Sequence, residues 1–232
     1  MGVKLVATGS YAPDNTYDIE EMSEIVGEDI SEFMEPLGIE QKNVTGPDMS
    51  AADLAVKAGQ DALEKAGMSA DEIDLLILST DTPDIISPQS SAIVANDLGM
   101  RDGAPFFDLN ASCTGFIFGT ETAKNWIEGN PDFNTVMLIS TYNMTKYSDM
   151  ERGKFFCVFS DGAGAAIYQK DDTKRGVLES HFIGNGDQWM TLGIYVGGTR
   201  FPATEERIKG EGDVPPDLTF WRGELMNRNP EL

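Results

Sequence analysis

Asp108-Leu109-Asn110-Ala111-Ser112-Cys113-Thr114-Gly115-Phe116 reads as a short strand that runs through a tight junction of small residues straight into a helix. A strand delivered directly into a helix is the repeating joint of an α/β fold. Outward from it, Pro105 to Leu109 is the short buried strand and Thr114 to Glu128 the helix. Upstream, Ile73 to Thr80 is a continuous apolar run of strand length, as expected of a strand buried on both faces of a parallel sheet. Between the two strands, Pro88 after Ser87 as N-cap opens a helix through Leu98 that stops at Gly99. Downstream, Thr135 to Thr141 is the next strand. The β-α-β rhythm predicts an α/β protein.

The flanks fit the same pattern. Ser50 to Ala66 is the clearest helix, with Ser50 as N-cap, Asp53 against the positive helix start, Leu54, Ala58, Ala62 and Ala66 four apart, and Gly67 as the stop. Val3 to Thr8 opens the chain as a strand ending at Gly9-Ser10. Asp18 to Val26 and Ile30 to Leu37 are two short helices, the second stopped by Gly38. Phe155 to Gln169 is apolar, broken by Ser160-Asp161-Gly162 and Gly164. Lys170 to Arg175 is a charged hinge, after which Gly176 to Ile183 begins a fresh strand. The predicted division is therefore 1–170 and 176–232. From Gly197 onward the chain is polar, with Val214-Pro215-Pro216 opposing regular helix, and it is expected to continue into more protein.

Composition excludes several classes. With 232 residues and 41% hydrophobic content the chain can fill a core. Seventeen Lys plus Arg against 39 Asp plus Glu give a net charge of −22, a field that repels phosphate backbones and anionic membranes, so neither nucleic acid nor a membrane is an expected partner. Its acids read as a solvated surface. Two cysteines, Cys113 and Cys157, without a cationic leader, build neither a disulfide framework nor a Cys-rich zinc site, and the expected location is cytoplasmic. No apolar run approaches the roughly 20 residues of a membrane span, and no spacing fits a metal.

Cys113 lies where a nucleophile belongs. At a helix start, unpaired amides and the macrodipole stabilise a thiolate, and the same amides can hold the oxyanion of a thioester. Ala111, Ser112 and Gly115 leave room for a substrate chain. The alternative is an inert buried thiol, because free cysteine is among the most buried residue types; spacing alone leaves both open.

The same stretch resembles the active-site segment of the β-ketoacyl-acyl-carrier-protein synthase III family. So do Val6-Ala7-Thr8-Gly9-Ser10-Tyr11-Ala12-Pro13, Gly38-Ile39-Glu40, Arg152-Gly153 and Phe159-Ser160-Asp161-Gly162-Ala163-Gly164-Ala165-Ala166, in order over residues 3 to about 187. The resemblance implies a thiolase-like fold, its N-terminal half complete and its second half begun. It implies an acyltransferase in which Cys113 takes an acyl group and then yields it to a malonyl thioester as carbon dioxide leaves. No cofactor is implied; an acyl-CoA or acyl-carrier-protein thioester is the substrate, the carrier protein a partner, and a homodimer or a partner chain is expected. The interface falls on Pro105 to Leu109 and the helix near Ser87. The family's catalytic histidine and asparagine belong to the second half, so this chain alone is expected to be inactive in condensation. His181, the only histidine, resembles a non-catalytic position.

Four positions bear on substrate. Arg152 matches the family's adenine-stacking arginine, whereas its tryptophan and second arginine align with Glu32, beside Phe33, and Pro36, so the coenzyme A grip differs. At the family's pocket-lining aromatic, contributed across the dimer, stands Ser87, next to Ile86, which predicts a wider acyl tunnel and a primer longer than acetyl. Asp161-Gly162-Ala163-Gly164 lacks a phosphate loop's lysine and opens no helix, so it reads as close packing. Cys157 reads as core within an apolar strand, and Asp71-Glu72 and Glu205-Glu206 as solvated surface. Other readings are a half-site subunit of a two-chain enzyme and a cysteine-dependent thioesterase or acyl carrier.

Overall fold

The computed structural model describes residues 2–147, 155–173, 175–189 and 193–209. In chain order the first elements are β1 (Gly2–Tyr11), β2 (Thr16–Asp18), α1 (Ile19–Val26), α2 (Ser31–Met34), β3 (Gln41–Asn43) and α3 (Ala51–Ala66). They are followed by β4 (Leu75–Ser79), α4 (Ser90–Leu98), β5 (Phe106–Leu109), α5 (Gly115–Gly129), β6 (Thr135–Asn143), α6 (Phe155–Val158), β7 (Asp161–Asp171) and α7 (Glu205–Lys209). The chain packs as two compact units.

The first unit, Met1–Asp14 with Thr45–Asn143 and Asp161–His181, is built on a five-stranded sheet of order β1-β7-β6-β4-β5. β4 pairs in parallel with both β5 and β6, as the β-α-β rhythm predicts. β7 pairs antiparallel with β6 and with β1, so the sheet is mixed rather than parallel throughout. The β1 ladder carries on through Gly9 and Ser10 to Tyr11↔Ala163, past the predicted strand end. Alternate residues feed two cores. Leu76, Leu78, Met137 and Ile139 pack with α3 and α4, while Leu75, Ile77, Val136 and Leu138 pack with Ala123 and Ile127 of α5 on the other face. Leu75 to Leu78 are fully buried, each contributing about 1.5–3 kcal/mol by leaving water.

Helix α3 behaves as its sequence predicts: Ser50 and Asp53 form a reciprocal capping box and Gly67 closes it in the left-handed conformation. Its alanine stripe lets β1 approach closely, since a Cβ on Gly9 would lie 2.2 Å from the Ala58 carbonyl oxygen. Helix α4 corrects its prediction. It starts at Ser90, not Pro88, because its first amides are capped from another strand: Asp108 of β5 accepts from the Ser90 and Ser91 N–H groups at 2.8 and 2.7 Å.

Residues 176–183 form no strand. The one backbone bond among the described residues that ties them back is from the Val177 N–H to the Val3 carbonyl at 3.1 Å, while Leu178 and Ile183 are 78% and 90% exposed. With one backbone bond there is no ladder to propagate.

The second unit takes Asn15–Val44, Met144–Ser160 and Phe182–Leu232. Within it β2 pairs antiparallel with β3, and Met22, Ile30, Met34 and Cys157 form a small core. Cys157 is fully buried, as predicted, but on the short helix α6 rather than on a strand. Burial pushes its thiol up, partly offset by the neighbouring Lys42 charge. Arg152 and the 214–216 segment lie outside the described residues.

Candidate active site

The parallel strands β4, β5 and β6 end on the same side of the sheet, and at their carboxyl ends stand Asp81, Cys113 and Tyr142. Open α/β sheets gather ligand-binding groups at such ends, where loops leave the strands.

Cys113 is exposed rather than buried. The structure interposes a single 3-10 turn, Ser112–Thr114, between β5 and α5, where the sequence predicts a direct junction. Within that turn the Thr114 amide donates to the Ala111 carbonyl at 3.1 Å, and the Thr114 hydroxyl donates to the same oxygen at 2.7 Å. Ser112 is the one non-glycine residue with positive φ among the described residues, at 45°. A left-handed conformation is strained for serine, and such strain costs of order 1–3 kcal/mol, sustained only where surroundings impose it. The turn is seated from below by Gly115, where a Cβ would fall 1.9 Å from Ser79 Oγ.

The loop after β4 is fixed on both sides of Asp81. Thr80 and Thr82 are buried, their hydroxyls 3.2 Å apart, and the Thr82 amide donates to Thr80 Oγ1 at 3.0 Å. Thr82 Oγ1 also accepts from the Asn143 amide of β6 at 2.9 Å, and the Thr80 amide donates to the Leu109 carbonyl of β5 at 3.1 Å. Asp81 is half-buried. Burial raises the Asp81 carboxyl above its usual range, while the polar Ser112 side chain pulls the other way. Tyr142 is half-buried as well. Burial first, and then the negative charges of Asp81 and Cys113, push its phenol above the usual tyrosine range, so it stays protonated. An exposed thiol at the head of a helix, near a half-buried carboxylate and a neutral phenol, is equipped to attack an activated carbonyl.

The other predicted site residues are placed less fully. Ile86 and Ser87 are exposed on the loop that also carries Asp81, Ile86 at 86%. Glu32 and Phe33 lie on α2, and Pro36 on the 3-10 turn after it. His181 is exposed, on no strand. Asp81 and Tyr142 were missed by sequence reasoning, although a carboxylate two residues past the end of a buried parallel strand is a signal that would have found the first. Among the described residues no cluster of metal-ligating side chains occurs, and no helix is long and apolar enough to cross a membrane.

A family model described as 3-oxoacyl-[acyl-carrier-protein (ACP)] synthase III matches residues 107–186, the span from β5 past β7. β-Ketoacyl-[acyl-carrier-protein] synthase III of Xanthomonas campestris pv. campestris is 32% identical over 198 residues, which is 84% of this chain and 60% of that protein. The synthase III of Fusobacterium nucleatum is 31% identical over 209 residues, 90% of this chain and 62% of that one. Among solved structures, 3-oxoacyl-[acyl-carrier-protein] synthase III from Aquifex aeolicus superposes with TM-score 0.77 at 27% identity, over 89% of this chain and 65% of its own. The chain thus spans about three-fifths of the curated relatives it matches.

Proposed function

This chain belongs to the β-ketoacyl-[acyl-carrier-protein] synthase III family and has its thiolase-like α/β fold, and on that premise we propose that Cys113 is the acyl-accepting nucleophile of a decarboxylating condensation in fatty acid or polyketide-like biosynthesis. The observation that carries the proposal is the exposed Cys113 thiol on a strained turn at the head of α5. The thiolate attacks the carbonyl of an acyl thioester, a carbon–sulfur bond forms, and the donor leaves as its thiol. In the second half-reaction a malonyl thioester loses carbon dioxide, and its carbanion attacks the acyl-cysteine carbonyl and expels the Cys113 thiolate. The family's histidine and asparagine serve that second step and lie in the part of the relatives that the aligned stretch does not reach. Acyl transfer to Cys113 is the half-reaction for which this chain supplies the residues.

The partners follow from the same reading. The acyl group arrives as a coenzyme A or carrier-protein thioester, malonyl-acyl-carrier-protein is the acceptor, no resident cofactor takes part, and the setting is the cytoplasm. Arg152 stacks on the adenine when coenzyme A is the donor, in a grip altered by Glu32 and Pro36. Two copies join through the open edge of β5, and Ile86 and Ser87 reach the partner's acyl pocket, where a serine in place of an aromatic admits a primer longer than acetyl. In family terms residues 1–170 are the first half and 176–232 the start of the second.

The test is condensation by full-length protein given malonyl-acyl-carrier-protein and a series of acyl-CoA primers. The expected result is a β-ketoacyl-acyl-carrier-protein product with release of carbon dioxide, abolished by Cys113→Ala. Condensation that persists in that variant overturns the assignment.

A further inference from the structure

The loop from β4 to α4 leaves the same end of the sheet as Cys113, and its tip is apolar and bare, with Ile85 and Ile86 both exposed. Adjacent isoleucines in water favour any apolar group that covers them. Such a tip can shape a pocket only if its place is fixed. The root of the loop, Thr80 to Thr82, is tied to β5 through the Leu109 carbonyl and to β6 through the Asn143 amide. Residues Ile85 to Gln89 are all exposed, so the hold on the tip has to come from the residues just before and after them.

That hold is Asp84. Its carboxylate Oδ1 accepts from the Ala52 amide in the first turn of α3 at 3.0 Å, and its own amide donates to Ser90 Oγ at the start of α4, also at 3.0 Å. Both anchors are themselves fixed. Ser90 is fully buried and its amide is held by Asp108 of β5, while the Ala51 carbonyl, next to Ala52, accepts from the buried Thr141 hydroxyl of β6 at 2.8 Å. Helix α3 does not need Asp84 in order to start, because Ser50 and Asp53 already form a complete capping box there. Asp84 takes an amide that the box leaves over and sets a carboxylate against the positive end of the helix. What the bond adds is a second grip on the loop, beyond its root, that pins it between two helices.

Resting on the reading that Ile86 and Ser87 line the acyl pocket, we propose that Asp84 is the positioning residue for primer length: it clamps the loop between α3 and α4 and so fixes the reach of Ile86 and Ser87 toward the acyl chain. Asp84 itself touches no substrate in this role. It acts through the backbone that carries the two pocket residues, and Ser90 is its second tie.

The test is the rate of Cys113 acylation in full-length protein, followed by intact mass with acetyl-CoA and with decanoyl-CoA, and the readout is the decanoyl-over-acetyl ratio. A released clamp leaves the thiol in place but blurs the wall that grips the longer chain. Asp84→Ala is therefore expected to lower the ratio about tenfold, roughly the worth of a methylene contact in an apolar pocket, with the acetyl rate little changed. Asp84→Asn keeps an acceptor for the Ala52 amide and is expected to keep the ratio. Ser50→Ala also strips a cap from α3, and it is expected to melt lower than wild type yet show the wild-type ratio. A wild-type ratio in Asp84→Ala, an Asp84→Asn ratio no better than that of alanine, or an equal fall in Ser50→Ala overturns the proposal. Should Asp84→Ala fail to fold by thermal melting, Ser90→Ala, which removes the acceptor of the Asp84 amide, decides in its place: the same fall is expected, and a wild-type ratio overturns the proposal. Failure of the underlying reading is distinguishable through Ser87→Phe, which is expected to narrow the pocket and lower the decanoyl rate. An unchanged ratio in Ser87→Phe, or no acyl uptake by wild type, overturns the pocket or nucleophile reading and this proposal with it, whereas a Ser87→Phe effect beside a wild-type ratio in Asp84→Ala overturns this proposal alone.

Discussion

Gly115 and Ser79 stand so close that an alanine Cβ at position 115 would lie 1.9 Å from Ser79 Oγ and 3.3 Å from its Cβ. The start of α5 is thus seated on the end of β4 at a distance only glycine permits, and this contact sets the height of the Cys113 turn above the sheet. Gly115→Ala is expected to destabilise the protein by about 1–3 kcal/mol through overpacking and to slow acyl transfer to Cys113. Ser79→Ala in the same chain removes the clashing oxygen and is expected to restore part of the stability. Urea unfolding of the single and double variants checks both.

Asp108 links β5 to α4 by accepting two amide protons, from Ser90 and Ser91. Asp108→Ala leaves two buried helix-start donors without that acceptor, and the expected loss is about 1–2 kcal/mol. Asp108→Asn, which keeps one good acceptor, is expected to lose less. Chemical denaturation of the two variants ranks them.

Asp81 has a sign that can be checked against pH. Its folded-state carboxyl is raised by burial, so the folded chain holds that proton more tightly than the unfolded chain, and ionisation costs stability as pH rises. The cost is absent below the ordinary value of 3.8 and complete above the raised folded value. Asp81→Asn is expected to melt about 1–3 °C above wild type at neutral pH, with the gap closing as pH falls toward 3.8. A gap that widens on acidification contradicts the burial argument.

β5 is the edge strand of its sheet, and the carbonyls of Pro105 and Leu109 accept from β4. By strand alternation the backbone groups of Phe106 and Asp108 face outward, away from β4, where the proposed second copy would pair. Light scattering of full-length protein is expected to give twice the chain mass, and Phe106→Pro, which removes one outward donor, to lower it toward the monomer. A wild-type monomer at micromolar concentration contradicts pairing through this edge.

Much of the fold was legible because it rests on local chemistry. The cap of α3 by Ser50 and Asp53, the stops at Gly38, Gly67 and Gly99, and the apolar run of β4 each announce themselves within a few residues. The place of Cys113 between a strand and a helix was legible for the same reason, since strand, junction and helix adjoin in sequence. The start of α4 was misplaced because its cap comes from Asp108, eighteen residues after Ser90. The antiparallel pairing of β7 with β1 joins residues about 160 apart and leaves no trace in periodicity. Asp81 escaped notice because what brings it to the same end of the sheet as Cys113 and Tyr142 is the pairing of β4 with β5 and β6, which only the fold brings about. The strand expected over Gly176 to Ile183 has an apolar pattern, but apart from the single Val177–Val3 bond it has no ladder.

The central claim is that Cys113 accepts an acyl group. The direct measurement is the intact mass of full-length protein after incubation with acetyl-, hexanoyl- and decanoyl-CoA, with peptide mapping of any adduct and Cys113→Ala alongside. One acyl group per chain on the Cys113 peptide, absent from the variant and greater with the longer primers, is the predicted result. An unmodified Cys113 with every thioester, or equal acylation of the variant, would contradict it.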